Sequence, residues 1–324
     1  MPEINKTLVD AWDDPLREWP TVAYIETTNH CNANCLCCLN DRCQKPRGTM
    51  TMETFKLIVA KLQERKLTIS AMFCFGEPLL DPTLFDKYAY AKMKGVIRLD
   101  HCGLNTNVSK LTPDKYPGIF KYTPNITLSF YNVGAEYERL TKLNWKQSYT
   151  NALQFIHYRD KYDPEYPIAI GVNTIEGYNT EAVKQAFEGE RVNWVCDAEI
   201  RWGDCVITGV IDRAIMYPWW SCDGYKGAIQ IKHDGSCEFC AFDVIGTQTG
   251  GETSIGNIIT DSWNTIEANF RAKWKSGCSL CLRCDYWHKA KEIWQNDNKR
   301  PDPLPADWYD WQKPYLAEGE AVKD

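Results

Sequence analysis

The chain has 324 residues, of which 44% are hydrophobic and 25% are charged, and its formal net charge is -6. This is the composition of a globular protein with room for one large domain and a smaller one. No apolar run is long enough to cross a bilayer, the start does not resemble a secretory signal, and no Lys- or Arg-rich stretch stands out. We therefore expect a cytoplasmic protein without a membrane span, and we do not favour nucleic acid as a partner.

Strand and helix patterns alternate from residue 21 to about residue 200. Apolar spacing and capping residues predict helices around Phe55–Leu62, from Asp81 to Gly95 and around Tyr149–Ile156. The predicted strands cover 22–28, 68–76, 96–107, 125–131, 167–173 and 192–200. Regular alternation predicts an α/β fold with a parallel sheet and outer helices, and six strands fall short of a closed eight-stranded barrel. We predict a partial (β/α)6 TIM-like barrel over 21–215, preceded by an N-terminal extension over 1–20.

After residue 215 the pattern changes. Alternating residues around Asp234-Gly235 predict a β-hairpin, and an apolar stripe from Trp263 to Trp274 predicts a helix that Gly277 would close. Six of the cysteines lie in this part of the chain. We predict a small cysteine-rich domain over 216–290 and a Pro- and Trp-rich tail over 291–324 that packs on the body.

Cysteine is the unusual feature of the composition, with 15 cysteines against only five histidines. Because no export signal is recognisable, metal ligation or redox chemistry explains them better than disulfides. The cysteines form two groups, at 31–43 and at 222–284, which predicts two metal centres with mainly thiolate ligands.

The first group contains Cys31, Cys35 and Cys38 in a C-x3-C-x2-C arrangement directly after the first predicted strand. Three thiolates on one loop can hold three irons of a [4Fe-4S] cluster and leave the fourth iron open to an external ligand. The alternative is a set of buried thiols or a zinc site with His30 or Cys37 as fourth ligand.

This spacing, on the loop after the first strand of a partial barrel, resembles the radical S-adenosylmethionine (SAM) superfamily. The resemblance implies that the open iron binds SAM through its amino and carboxylate groups. It also implies that one electron cleaves SAM to methionine and a 5′-deoxyadenosyl radical, which takes hydrogen from a small-molecule substrate. A flavodoxin- or ferredoxin-like reductant is the implied protein partner.

Further segments carry the same resemblance. "CFGEP" (74–78) resembles the family's GGEP motif, with Phe75 in place of the first glycine, and Glu77 would accept from the SAM ammonium. "LNTN" (104–107) and "LSFYN" (128–132) resemble other strand ends that contact SAM. One departure is Cys37, where the family commonly has an aromatic residue. The resemblance implies SAM contacts from Gly76, Glu77, Pro78, Thr106, Asn107, Ser129, Arg139 and Asn173. The alternative for the polar members is that they only satisfy backbone groups at strand ends.

The second group resembles a SPASM or twitch domain, which carries auxiliary iron–sulfur clusters. The matching ligands of one auxiliary [4Fe-4S] cluster are Cys222, Cys240, Cys281 and Cys284, with Cys278 as a competitor for one of the last two positions. No cysteine follows Cys284, so a second auxiliary cluster is not expected. A structural zinc ribbon held by four cysteines is the alternative.

The fate of the substrate radical decides the reaction, and the sequence predicts an oxidoreductase or an isomerase. We favour oxidation, a dehydrogenation in which the auxiliary cluster accepts the electron. Epimerisation is the alternative, with Cys196, Cys205 or Cys237 as hydrogen donor. Modification of a ribosomal peptide is weaker, because about twenty residues before the first strand are too few for a leader-binding wing. A non-catalytic iron–sulfur electron carrier is the alternative outside this class.

Overall fold

The computed structural model describes residues 22–36, 38, 40, 46–97, 102–173, 179–197, 228–239 and 253–276. Its strands are β1 (Val22–Ile25), β2 (Thr68–Ala71), β3 (Leu104–Thr106), β4 (Ile126–Phe130), β5 (Ile168–Asn173), β6 (Asn193–Asp197), β7 (Ala228–Ile231), β8 (Ser236–Glu238) and β9 (Ser254–Asn257). Its α-helices are α1 (Met52–Glu64), α2 (Leu84–Met93), α3 (Tyr116–Tyr122), α4 (Gly134–Thr141), α5 (Trp145–Tyr162), α6 (Thr180–Ala186) and α7 (Trp263–Ser276). No helix in these ranges is both long and apolar enough to cross a membrane.

All six predicted barrel strands are present, and each lies inside its predicted range. Strands β3, β4, β5 and β6 form a parallel sheet in chain order. Strand β1 pairs with β2 in parallel, and a single parallel bridge joins Ile69 to Ile97 on the way to β3. Parallel strands in chain order, with helices between them, confirm the mixed α/β fold.

The predicted hairpin is also confirmed, but its first strand does not stand apart from the barrel strands. Strand β7 pairs with β1 in parallel, from Val22↔Ala228 to Ile25↔Ile231, and β8 and β9 continue the sheet in antiparallel pairs. Gly235 has a φ of +84°, which the turn between β7 and β8 requires and glycine adopts without strain. The domain boundaries at 20/21, 215/216 and 290/291 lie outside the described residues and stay predictions.

Helix α2 begins later than the sequence predicts. Asp81 was expected to cap the helix, but the helix begins at Leu84. The Asp81 carboxylate accepts from the Thr83 backbone N–H at 2.9 Å and from the Lys87 ammonium at 2.6 Å, with Asp81 and Lys87 both buried. A buried lysine needs a charged partner. The Asp81 carboxylate therefore pairs with Lys87 and accepts the hydrogen bond of a turn at Thr83 instead of capping the helix.

Each sheet has one apolar face covered by helices. On β4, Phe130 contacts Tyr137 of α4, Trp145 of α5 and Phe187 at ring-centroid distances of 5.7, 5.8 and 5.2 Å. On the other sheet the fully buried apolar residues include Ala23, Ile25, Ile229, Ile231 and Cys237, which share a core with residues of α1 and α7. Strand residues alternate between faces, so the opposite face of each sheet carries the polar side chains.

Candidate active site

The cysteine loop starts where β1 ends and is anchored by the chain segment that precedes α1. The Asn29 N–H donates to the Gly48 carbonyl at 3.2 Å, and the Gly48 N–H donates to Asn29 Oδ1 at 2.8 Å. The Asn40 side chain donates to the Asn29 carbonyl at 3.2 Å. These bonds satisfy the loop's backbone on one side and fix its direction as it leaves the strand.

The other side of the loop is held by the last turn of α4. Backbone N–H groups of Asn34 and Leu36 donate to the carbonyls of Thr141 and Leu140 at 3.0 and 2.9 Å. A helix leaves its last carbonyls without partners inside the helix, and here the loop supplies the donors. The three predicted ligands, Cys31, Cys35 and Cys38, stay partly exposed on this anchored loop.

The three thiols of this loop are the candidate ligands of a metal centre. Among the described residues, no three His, Cys, Asp or Glu side chains are grouped as ligands of one metal ion would be. Thiolates of a cubane cluster bind different irons, so they need not converge on one point. Burial, and to a lesser extent the charge of Glu77, raises the pKa of the Cys31 thiol, so metal binding has to displace its proton.

The segment after β2 lies directly on the cysteine loop. The Glu77 N–H donates to the His30 carbonyl at 2.8 Å. Gly76 has a φ of +94°, and a Cβ placed there would lie 2.5 Å from the Thr28 carbonyl oxygen. Glycine is therefore required at position 76 both for its backbone conformation and for the close approach of the two loops.

Glu77 links the ends of β2 and β3. Its carboxylate accepts from the Thr106 hydroxyl at 2.8 Å, from the Asn107 N–H at 2.7 Å and from the Leu79 N–H at 3.0 Å. The residue is only 1% exposed, and burial raises its pKa to about 7 although the three hydrogen bonds oppose this. A carboxylate offers about four lone-pair sites, so roughly one acceptor position remains for a ligand.

Asn107 connects this carboxylate to the first cysteine. Its side-chain amide lies 3.7 Å from Cys31 Sγ and 3.2 Å from Asn32 Oδ1, and its Oδ1 accepts from Ser109. Pro78 is buried at the start of a short 3₁₀ turn beside Glu77. The structure thus brings together six of the predicted residues from the ends of three strands: Cys31, Gly76, Glu77, Pro78, Thr106 and Asn107.

Three other predicted SAM contacts come from β4, α4 and β5. Ser129 is half-buried on β4, on the face opposite Phe130. Arg139 lies on α4 with half of its side chain exposed, and its guanidinium forms a two-point ion pair with Glu136 at 2.7 and 2.9 Å. An exposed ion pair of this kind contributes little net stability. Asn173 is the last residue of β5, and its side chain is not among the described ones.

One predicted hydrogen donor, Cys237, lies within the described residues. Its side chain is fully buried on the apolar, helix-covered face of β8, where burial raises the thiol pKa to about 12. A substrate on the polar face would not contact it, because successive strand residues point to opposite faces. The other cysteine predictions fall outside the described side chains: Cys37, Cys196, Cys205, Cys222, Cys240, Cys278, Cys281 and Cys284.

A buried charged cluster beside the cysteine loop was missed at the sequence level. Lys232, the residue after β7, places its ammonium 3.5 Å from Glu26, 3.5 Å from Glu238 and 3.6 Å from Cys74. Burial lowers the pKa of Lys232, but the neighbouring Cys74 and Glu26 charges more than offset this and raise it above the ordinary value. The parallel pairing of β7 with β1 brings Lys232 close to Glu26, and no local pattern in the sequence predicts that pairing.

A parallel α/β sheet with a three-thiol loop after its first strand is typical of proteins that bind a ligand at the carboxyl ends of the strands. The Radical SAM superfamily model matches residues 25–188, just over half of the chain, and this range includes the cysteine loop, Glu77 and Asn107. The chain belongs to the radical SAM superfamily, and it is therefore an enzyme.

Solved structures agree with this fold. The structure of native anSMEcpe with bound AdoMet aligns with a TM-score of 0.57 at 14% identity, over 91% of this chain and 96% of that chain. The structure of SuiB from Streptococcus suis bound to S-adenosylmethionine aligns with a TM-score of 0.51 at 11% identity, over 83% of this chain and 71% of that chain. At these identities the likeness concerns the fold alone. No curated protein sequence matches the chain.

Proposed function

We propose that this enzyme holds a [4Fe-4S] cluster through Cys31, Cys35 and Cys38 and uses SAM to take a hydrogen atom from a small polar metabolite. The observation that carries this proposal is the contact of the three-thiol loop with the Gly76–Glu77 segment, through the His30 carbonyl at 2.8 Å. Through this contact the buried Glu77 carboxylate, which has about one acceptor position left, lies against the loop that carries the three proposed ligands. When bound, the cluster supplies the electron that cleaves SAM to methionine and a 5′-deoxyadenosyl radical.

The protein side chains bind and orient the cofactor. Glu77 would accept a hydrogen bond from the SAM ammonium, and the bonds from Thr106 and Asn107 hold the carboxylate in place for it. The Asn107 amide donates towards Cys31 Sγ, and hydrogen bonds to a ligand sulfur tune a cluster. Ser129, Arg139 and Asn173 are proposed to contact the SAM carboxylate and adenine from β4, α4 and β5.

For the overall reaction we propose oxidation. The substrate radical would lose a proton and pass one electron to an auxiliary [4Fe-4S] cluster in a twitch-like domain. Four cysteines are proposed as its ligands, Cys222, Cys240, Cys281 and Cys284, with Cys278 as the competitor. A flavodoxin- or ferredoxin-like protein is the proposed electron donor, and the cytoplasm is the proposed location. The support is the resemblance of the C-terminal cysteine spacing to this domain type.

SAM cleavage tests the first cluster directly. Under anaerobic, reducing conditions the reconstituted wild type is expected to form 5′-deoxyadenosine, and Cys31→Ala is expected to form none. Cys102→Ser is the matched control, since Cys102 is buried and bonded to Tyr88, away from the loop. Equal 5′-deoxyadenosine formation by Cys31→Ala and wild type would refute the proposal.

Metal analysis tests the second cluster. Two [4Fe-4S] clusters give about eight irons per chain, whereas a zinc-bound C-terminal region gives about four irons and one zinc. Cys281→Ala is expected to lose about half of the iron and to keep SAM cleavage. About four irons and one zinc in the wild type would exclude the auxiliary cluster, and unchanged iron in Cys281→Ala would make Cys278 the ligand in place of Cys281.

A further inference from the structure

The polar face of the β1–β7–β8 sheet carries a row of hydrogen-bonding side chains. The register pairs Tyr24 with Gln230 in parallel and Gln230 with Glu238 in antiparallel, so the three share one face. Glu26 and Lys232 continue the same alternation one residue beyond β1 and β7. The opposite face of these strands is the apolar one that α1 and α7 cover.

Gln230 lies in this row, and its buried side-chain amide is not hydrogen-bonded to the described residues. It is 1% exposed, and neither its Nε2 nor its Oε1 has a hydrogen-bond partner among the described residues. A buried polar group without a partner costs ~1–3 kcal/mol, and such groups in native proteins usually have a reason. The amide therefore offers one donor and one acceptor to a molecule that reaches this face.

The row leads to the site described above. Lys232 lies 3.6 Å from Cys74 of the "CFGEP" segment, and the Phe75 N–H donates to Glu26 at 3.4 Å. Gln230 precedes Lys232 by two residues, which places it roughly 7 Å from Lys232 along the strand direction, further from the carboxyl end of β7. A small molecule bound to Gln230 would thus lie on the polar face of the sheet, next to the Lys232 cluster that contacts the "CFGEP" segment.

We propose that Gln230, with Tyr24 and the Lys232–Glu238 pair, forms the substrate subsite and that the substrate is a small polyhydroxylated molecule. This inference rests on the proposed function and names its substrate class. A hydroxyl group both donates and accepts, so two neighbouring hydroxyls match the donor and acceptor of one amide. Charged neighbours strengthen bonds to hydroxyls. The burial of Gln230 favours a compact molecule over an extended peptide chain.

Binding of two probes tests the subsite. Anaerobically reconstituted full-length protein is dialysed to equilibrium against radiolabelled myo-inositol and, separately, D-glucose. The wild type is expected to bind at least one of them, and Gln230→Met is expected to weaken that binding about tenfold or more through the loss of two hydrogen bonds. Tyr24→Phe removes only a hydroxyl from the same face and is expected to weaken binding several-fold. Gln147→Met, on the exposed surface of α5, is the control and is expected to bind like the wild type.

A stability measurement checks the premise separately. Because the Gln230 amide lacks partners, Gln230→Met is expected to unfold at the same or a higher denaturant concentration than the wild type. Lower stability of Gln230→Met, no binding of either probe by the wild type, or equal binding by Gln230→Met overturns the subsite. SAM cleavage by the wild type without any probe is scored independently. Cleavage without probe binding overturns the subsite alone, and probe binding without cleavage overturns the proposed function.

Discussion

Replacing Glu77 with glutamine in the metal-free protein tests which effect controls this carboxylate. Burial favours the neutral acid, whereas the three hydrogen bonds from Thr106, Asn107 and Leu79 favour the anion. The balance leaves the pKa raised from 4.5 to about 7. Glutamine has nearly the same shape and cannot ionise, so it removes the titration and keeps the packing.

The sign and size of the effect follow from the pKa. Between pH 4.5 and about 7 folded Glu77 keeps a proton that the unfolded chain has released. Wild-type stability therefore falls as pH rises through this window, by ~1.4 kcal/mol per pH unit for this one group. The free energy of unfolding of Glu77→Gln, relative to wild type, should rise by about 3 kcal/mol across the window and then level off.

Urea unfolding of both proteins at several pH values from ~5 to ~8 measures this difference. Glu188→Gln, which removes an exposed carboxylate, controls for the loss of one charge. A constant difference between Glu77→Gln and wild type would refute the reasoning. A difference that changes in the opposite direction would show that the hydrogen bonds outweigh burial.

Three further substitutions probe the supports of the site. Lys232→Met leaves Glu26 and Glu238 buried without their nearest ammonium and is expected to cost ~3–5 kcal/mol in urea unfolding; a loss below ~1 kcal/mol would contradict a tight ion cluster. Gly76→Ala puts a Cβ at φ +94° and 2.5 Å from a carbonyl oxygen, so we expect a loss of more than ~1 kcal/mol, and unchanged stability would count against the close approach. Asn144→Ala removes the N-cap bond of α5, 2.8 Å long, at a cost of ~1 kcal/mol, while aspartate at this position should restore most of it in thermal unfolding.

Local patterns predicted most of the elements that build the site. The six strands and the faces of α1 and α7 follow from apolar periodicity, because burial against a sheet imposes period two on strands and 3.6 on helices. The buried residues Phe55, Ile58, Val59 and Leu62 of α1 are the predicted ones. Helices α3, α4 and α6 were not predicted; α3 and α6 have seven residues each and α4 has eight, too few turns for a clear repeat.

Ion pairs with nearby side chains involve two residues to which the sequence assigns other roles. Asp81 has the residue type and position of a helix cap, but its carboxylate pairs with the buried ammonium of Lys87, six residues later. Arg139 pairs with Glu136 at helical spacing on α4, an ion pair that the family resemblance does not predict, and its contact with SAM stays a proposal.

The sequence by itself determined the fold class, the three-thiol loop and the carboxylate of "CFGEP", because these depend on periodicity and on spacing within one short segment. Only the tertiary structure decided which strand lies next to β1. That pairing places Lys232 and Gln230, more than 200 residues along the chain from Tyr24 and Glu26, on one face beside the cysteine loop. Strands pair through backbone hydrogen bonds, which depend little on side-chain type. The sequence therefore does not predict that β7 pairs with β1, or which polar side chains this pairing brings onto one face.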